Sequence, residues 1–459
     1  MPTLLATACA AVPDLGARPT PATAGTYASA QSLSGARSAW PADGWWKAYN
    51  DSQLNALIDE GLAGSPDLAA ATARFRIAQG LAQQAGAALL PSVDASASID
   101  EQKVSRNATG PQAPSGWNAT GTGALSFNLD LDLFGKNRAA LRAARKDSDA
   151  ARFDVDEARL LLTTGIASSY ADLAALYAQR DNLEAALDIR TQSLKFVQAR
   201  YNAGLETIDT VRQAEARIPQ TRGDIAATDE AIMLDKHALA ALVGAGPDHA
   251  LTINRPSSGT LRAQGVPADA SINLIGRRPD IAAARMRVEG SAERIKEARA
   301  AFYPDINIGA LVGLQSLGLS NLFHSGSGFA SVSPAVTLPI FHGGALQGQY
   351  RGARGQYDEA VAQYDGQVIQ ALRETADTVT SQKQLGQRLS EAQASLTAYE
   401  DALRVARGRY NEGLTNYLTV LTAEESVVNA RLTVAQLQSR AFTLDVQLVR
   451  ALGGGFDAA

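Results

Sequence analysis

The chain repeats itself. Residues 66–91 read PDLAAATARFRIAQGLAQQAGAALLP and residues 279–304 read PDIAAARMRVEGSAERIKEARAAFYP, with Pro-Asp opening and Pro closing both at a displacement of 213. Leu131-Asp-Leu-Phe134 returns as Leu338-Pro-Ile-Phe341, displaced by 207, and Arg200-Tyr-Asn-Ala-Gly-Leu205 as Arg409-Tyr-Asn-Glu-Gly-Leu414, displaced by 209. Three matches in the same order mark a duplicated unit of about 210 residues, and self-similarity of this kind decides architecture before any local signal does.

Both units share one internal grammar. A helix runs to Pro91 or Pro304, where proline turns the chain toward extended structure. Then comes alternation. Val93, Ala95, Ala97 and Ile99 alternate with Asp94, Ser96, Ser98 and Asp100, and Ile306, Ile308, Ala310, Val312 and Leu314 repeat the pattern. After turn-rich residues (105–116 and 318–328) a second alternating run returns: Leu125, Phe127, Leu129, Leu131 and Leu133, or Val332, Pro334, Val336, Leu338 and Ile340. Period two over about ten residues predicts strands with one apolar and one wet face. Long proline-free stretches follow, 139–200 with Gly165 as its only glycine, and 345–411. Ile166, Leu173, Leu176, Leu183, Leu187, Leu194, Val197 and Tyr201 form a heptad-like seam in the first. Tyr350, Tyr357, Val361, Tyr364, Val368, Leu372, Val379, Leu385, Leu389, Leu396, Tyr399, Leu403 and Tyr410 form one in the second. At ~1.5 Å per residue each helix is on the order of 100 Å long, well beyond the ~30 Å of a bilayer core. A turn at Gly204 or Gly413 leads into a return helix, the first of which contains Pro219 and should kink there.

Four strands cannot close a membrane barrel, which needs at least about eight, and open edges are not tolerated in lipid. The sheet must close with copies of itself. Two copies give a barrel filled by its own side chains, three a wet lumen. The polar face (Ser126, Asn128, Asp130, Asp132) favours three.

The composition excludes other classes. A net charge of −5 and dispersed Lys and Arg argue against nucleic acid. His237, His249, His324 and His342 lack metal-ligand spacing. The Gly343-Gly344 and Gly453-Gly454-Gly455 runs lack the Lys-Ser/Thr of a phosphate loop. No catalytic arrangement, metal or cofactor is expected, so the chain reads as a non-enzyme. No apolar run approaches the ~20 residues of a membrane helix, and the richest, Leu160 to Ala178, is interrupted by Thr163, Thr164 and Asp172.

Cys9 is the only cysteine. Ala6-Thr7-Ala8-Cys9 ahead of Pro13, Pro19 and Pro21 resembles a bacterial lipoprotein cleavage site with a proline-rich tether, although Leu is usual where Ala6 stands and no basic stretch precedes it. The expectation is acylation at Cys9; the bland alternative is a chance cysteine in an alanine-rich leader.

Trp45-Trp46-Lys-Ala-Tyr, Leu-Asp-Leu-Phe-Gly (131–135), Arg277-Arg278-Pro-Asp-Ile, Leu-Pro-Ile-Phe-His-Gly-Gly (338–344), Ala371-Leu-Arg-Glu-Thr-Ala-Asp377 and the doubled Arg-Tyr-Asn-x-Gly-Leu together carry a resemblance. From about residue 40 to Gly454 the sequence is similar to the TolC-like outer-membrane factors, in particular the NodT-type lipoproteins of RND efflux systems. The resemblance implies an α+β membrane protein. A homotrimer would share a 12-stranded outer-membrane β-barrel and a long α-helical periplasmic tunnel girdled by an equatorial domain. It also implies a passive duct in the outer membrane of a Gram-negative bacterium, partnered by a periplasmic adaptor and an inner-membrane RND pump. The expected organisation is a leader remnant (1–9) and a tether with equatorial residues (10–60), followed by a first repeat (61–245: hairpin 92–134, helix 139–200, return helix 207–243). An equatorial segment (246–271) separates it from a second repeat (272–459: hairpin 305–341, helix 345–411, return helix 416–451). A type I protein-secretion duct is the alternative of the same fold; a periplasmic coiled-coil scaffold is one of another class.

The resemblance also points to an entrance. The tips carry Tyr201 and Gly204 in one repeat and Tyr410 and Gly413 in the other, and the residues just beyond should line the tunnel mouth. Where the family often has Leu/Val-Asp-Val-Leu-Asp-Ala, this chain has Leu418-Thr419-Val420-Leu421-Thr422-Ala423, with threonine at both acidic positions. Glu206 and Asp209 of the first repeat partly compensate. Asp209 is then expected to carry the acidic constriction, with Thr419 and Thr422 as a weaker ring; the competing reading makes Asp209 a helix-start residue. Phe134 and Phe341, at matched strand-to-helix junctions, are candidates for interfacial aromatics.

Overall fold

The computed structural model describes residues 12–23, 25–34, 37–103, 105, 116–257, 266–267 and 274–457. Cys9 and most of the 105–116 turn lie outside the described residues. In chain order the elements are β1 (Arg37–Ser38), α1 (Ser52–Gly64), α2 (Pro66–Ala87), β2 (Ser92–Lys103), β3 (Trp117–Asp130), α3 (Lys136–Asn202) and α4 (Ile208–Leu242). β4 (Val266–Pro267), α5 (Pro279–Ala300), β5 (Asp305–Leu317), β6 (Gly328–Thr337), α6 (Ala345–Asn411) and α7 (Tyr417–Ala451) follow.

The duplicated halves do not fold as separate domains. One compact unit combines residues 74–152 with 283–365 and the tether up to Pro21; the other combines 22–73, 153–282 and 366–459. Each repeat's hairpin leaves hydrogen-bonding edges open, and the partner repeat's hairpin satisfies one of them, β3 pairing with β5.

In the first unit the sheet order is β2-β3-β5-β6, antiparallel throughout. The register aligns one apolar face across all four strands. Ala95 pairs with Leu125, Leu125 with Val312 and Val312 with Ala330; Val93 pairs with Phe127, Phe127 with Ala310 and Ala310 with Val332. The opposite face pairs Asp94 with Ser126, Asp100 with Thr120 and Asp130 with Asn307. A one-residue slip would reverse every side chain. β3 starts before the alternation becomes clean and stops at Asp130, so Leu131 and Leu133 fall past its end; Asp132 takes φ 44° and turns the chain. β6 stops at Thr337 ahead of Pro339, which has no N–H to extend a ladder, so Leu338 and Ile340 also lie outside it.

The tether does not hang free. The Arg354 side chain donates to the carbonyls of Gly16 (3.2 Å) and Ala17 (2.5 Å), and the Tyr357 hydroxyl to that of Pro19 (3.0 Å). Below the sheet, ion pairs of Arg142 with Glu293, Lys146 with Glu289 and Arg294 with Asp147 fasten α3 to α5.

The second unit is built on a core of Trp45, Trp46, Leu54, Ile58, Ile166, Tyr170, Leu173, Leu239, Val446 and Val449. Asp51 caps α1 through the N–H groups of Gln53 (2.9 Å) and Leu54 (3.0 Å). Burial alone would raise its pKa, but these bonds and the hydroxyls of Ser257 and Tyr170 hold it below the usual range. Arg278, buried, pairs with Asp280 (2.7 Å) and Glu374 (2.8 Å).

The helical seams are legible in burial. On α6, Tyr357, Val361, Tyr364, Val368 and Ala371 are buried at alternating steps of four and three. Further along, the seam passes through Leu403, Ala406 and Tyr410; Tyr399 is off it, at 45% exposure. Pro219 lies inside the unbroken α4, on an exposed position. Among the described residues, no helix is long and apolar enough to cross a membrane.

Candidate functional site

The two helical tips are closed by the same turn. Gly204 (φ 75°) donates to the Tyr201 carbonyl (2.9 Å) and Leu205 to that of Arg200 (2.9 Å). Gly413 (φ 76°) donates to Tyr410 (3.0 Å) and Leu414 to Arg409 (2.8 Å). This paired 5→2 and 6→1 pattern satisfies the terminal carbonyls and needs a left-handed residue, which glycine adopts without strain. The doubled Gly-Leu thus has a local cause. Leu205 and Leu414 are both left exposed.

Beyond the turns the tips diverge. α7 has a side-chain cap, Asn416 Oδ1 accepting from the Thr419 N–H (3.3 Å) and hydroxyl (3.1 Å). α4 starts after Thr207, whose hydroxyl instead donates to Asp209 Oδ1 (2.7 Å), while Gln213 Nε2 donates to Asp209 Oδ2 (3.3 Å). Asp209 is therefore a first-turn carboxylate, placed where a helix dipole favours negative charge, and not the cap itself. Thr422 donates to the Leu418 carbonyl (2.9 Å). None of these bonds of Asp209, Thr419 or Thr422 joins one hairpin to the other.

One bond that does join them runs from Tyr410 to Glu206. Tyr410 is 2% exposed and its hydroxyl donates to Glu206 Oε1 at 2.5 Å. The Arg200 guanidinium lies 4.8 Å from the centre of the Tyr410 ring and donates to the Asn411 carbonyl (3.3 Å). Phe196 and Tyr417 pack against the same ring, each 5.7 Å away. Burial, then the Glu206 bond, pushes the phenol pKa well above its ordinary value, so Tyr410 stays a donor at neutral pH. Tyr201, at the matching motif position, is 39% exposed and off the seam expected for it.

A second polar tie lies farther along the same helices. Glu424 is 3% exposed; its Oε1 accepts from the Ser193 hydroxyl (2.7 Å) and Arg407 Nη2 (2.9 Å), and its Oε2 is buried without a hydrogen-bond partner among the described residues. It thereby joins α3, α6 and α7. Of the residues singled out in the sequence, the structure brings Glu206 and Tyr410 together and leaves Asp209, Thr419 and Thr422 on their own hairpins. Arg200, Phe196, Ser193, Arg407 and Glu424 were missed. A signal for Glu424 existed: it falls on the apolar spacing Tyr417, Val420, Leu421, Glu424, Val427, where a charged residue is out of pattern. Arg200 and Phe196 offered none, because their role depends on which tyrosine is buried.

Phe134 does not stand alone at its junction. It stacks on Tyr303 with ring centres 5.0 Å apart. Phe341 is 80% exposed.

Comparison with known proteins gives a coherent result. A family model described as outer membrane efflux protein matches residues 57–245 and 272–454, the two repeats. The chain is 33% identical over 435 residues to the multidrug resistance outer membrane protein MdtP of Shigella flexneri, covering 92% of this chain and 88% of that protein. It is 30% identical over 455 residues to the cation efflux system protein CusC of Escherichia coli O157:H7, covering 99% and 97%. The crystal structure of the outer membrane protein VceC of Vibrio cholerae superposes with a TM-score of 0.87 at 45% identity, covering 91% of this chain and all of that one.

Proposed function

The chain belongs to the outer membrane efflux protein family, and from that premise we propose that it is the outer-membrane subunit of a tripartite RND-type system that exports small molecules. The observation that carries this reading is the four-stranded sheet. It has an apolar face in continuous register, and its outer strands, β2 and β6, each have one edge without a partner among the described residues. In lipid such edges must be paired. Three copies joining β6 to the next β2 make twelve strands around a wet lumen, with the polar face inward. The long helices α3 and α6 with their return helices supply four helical passages per copy for a periplasmic tunnel. The duct does no chemistry. Energy comes from an inner-membrane pump, coupled through a periplasmic adaptor, and acyl chains on Cys9 add a second hold on the outer membrane. At the tips, the Tyr410–Glu206 bond is the releasable latch of the entrance, while Asp209, Thr419 and Thr422 set its charge.

The test has two parts. Purified protein in detergent should have the mass of a trimer; a stable, folded monomer refutes the shared barrel. Deleting the gene should raise susceptibility to small toxic compounds without stopping secretion of any protein; the opposite outcome assigns the duct to type I secretion. Mass spectrometry of the native N-terminus should show an acylated Cys9.

A further inference from the structure

The Phe134–Tyr303 stack forms one wall of a cavity of about 660 Å³ in the first compact unit. Its size is that of a site for a drug-sized molecule, and its lining mixes apolar side chains with six charged ones, Asp130, Asp132, Lys136, Arg294, Glu297 and Asp305. Ion pairs use up most of the charge around it. Asp132 is held by Arg138, Arg294 by Asp147, and Lys136 by Asp305 at 3.5 Å. Two lining carboxylates, Asp130 and Glu297, have no ion pair among the described residues. Among the described residues Asp130 accepts from neutral donors, the Asp132 N–H (2.8 Å) and Asn137 Nδ2 (2.7 Å). Burial pushes the Glu297 pKa up although Arg294 and Lys136 work against it, so an added positive charge would relieve it. Phe134 and Tyr303 are 47% and 40% exposed, so the stack remains reachable. Aromatic faces attract cations, most strongly when desolvated. Among the described residues there is no group of three metal-ligating side chains, so an inorganic ion lacks a ligand set here.

We propose that this cavity binds an amphipathic monovalent organic cation, its ring system against Phe134 and Tyr303 and its charge against Glu297 and Asp130. The proposal rests on the duct reading in one respect, that such a cation is cargo. An anion would meet two carboxylates that have no ion pair among the described residues, and a neutral molecule would leave them as they are.

Rhodamine 6G is a suitable probe, with the full-length trimer in lipid nanodiscs and fluorescence anisotropy as the readout. Wild type should bind it saturably and should not bind anionic carboxyfluorescein. Glu297→Gln and Phe134→Leu should each weaken rhodamine binding about tenfold. Absent saturable binding, equal affinity in wild type and both variants, or equal binding of carboxyfluorescein overturns the site. Planar-bilayer conductance of the same preparations tests the duct separately. Dye binding with the expected losses but no conductance preserves the site and refutes the duct; conductance without carboxylate-dependent dye binding does the reverse.

Discussion

The two halves of this chain descend from one unit yet solve the same three local problems differently. Before the matched Pro-Asp, the first half has Ser65 and the second has Arg278, both buried. Where strand becomes helix, the first half has Asp132, whose carboxylate accepts from the N–H groups of Asn137 (2.8 Å) and Arg138 (2.9 Å), and the second has Pro339 and two left-handed glycines, Gly343 and Gly344. At the tip, the first half gives Arg200 and Glu206 and the second gives Tyr410. Duplication supplied the lengths and turns; divergence supplied polar contacts that exist only between or within unlike halves. Each asymmetry can be broken by a matched pair of substitutions.

The largest effect belongs to Arg278. Burial disfavours its charge, but Asp280 and Glu374 more than restore it and raise its pKa further. Arg278→Ala strands two carboxylates around a buried space, a loss on the order of 3–5 kcal/mol for a broken buried pair. Ser65→Ala removes one hydroxyl and should cost about 1 kcal/mol or less. Thermal melting of the trimer followed by circular dichroism reads both. Equal melting of the two variants would dissolve the contrast.

Next comes the strand-to-helix junction. Burial would raise the Asp132 pKa, but the backbone N–H groups of Arg138 and Asn137 and the Arg138 side chain outweigh it and hold the carboxyl below its ordinary value. Its stabilisation is therefore present above about pH 4, the unfolded carboxylate range, and is lost as pH falls through the lower folded pKa. Asp132→Ala should cost about 1–2 kcal/mol at neutral pH, as for a lost helix cap, and Pro339→Ala should change little. The deficit of Asp132→Ala should shrink below pH 4. A deficit that stays constant from pH 7 to pH 3 would mean that the carboxylate is not its source.

The tips are third. Tyr410→Phe removes the donor to Glu206 and should raise resting single-channel conductance several-fold, because one hydrogen bond to a charged group is worth about 1.5–3 kcal/mol. Tyr201→Phe, on the exposed tyrosine, should leave conductance at the wild-type level. If both variants leak alike, the latch is not the Tyr410–Glu206 bond.

These contrasts also mark how far sequence reading reaches. The helix lengths, the four strands and the tip glycines were legible because each has a local cause: absence of proline, period two, and a turn that needs positive φ. Strand ends were not, since Leu131, Leu133, Leu338 and Ile340 continue the alternation past Asp130 and Thr337, where Asp132 and Pro339 end the ladder. The two compact units were hidden as well, because pairing of β3 with β5 is a property of both repeats at once. At the tips, Glu206 and Tyr410 were named separately; that they touch, while the matched Tyr201 does not, depends on packing that no single motif encodes.

The smallest effect concerns the charge of the entrance. Asp209 keeps its carboxylate in the first turn of α4, held by Thr207 and Gln213, whereas Thr419 and Thr422 stand after the second turn without charge. Rings of carboxylates select cations in pores, and three copies would bring three Asp209 side chains to one mouth. The charges are exposed, so at physiological salt each is screened within about 8 Å. Asp209→Asn, which keeps a side chain able to accept from Thr207, should lower the cation-to-anion permeability ratio by about twofold, with resting conductance and trimer melting unchanged. Thr419→Asp should raise the same ratio, since it adds charge where the second tip has none. If Asp209→Asn leaves the reversal potential unmoved while Thr419→Asp shifts it, the second tip alone faces the permeating ions and Asp209 serves only the start of its helix.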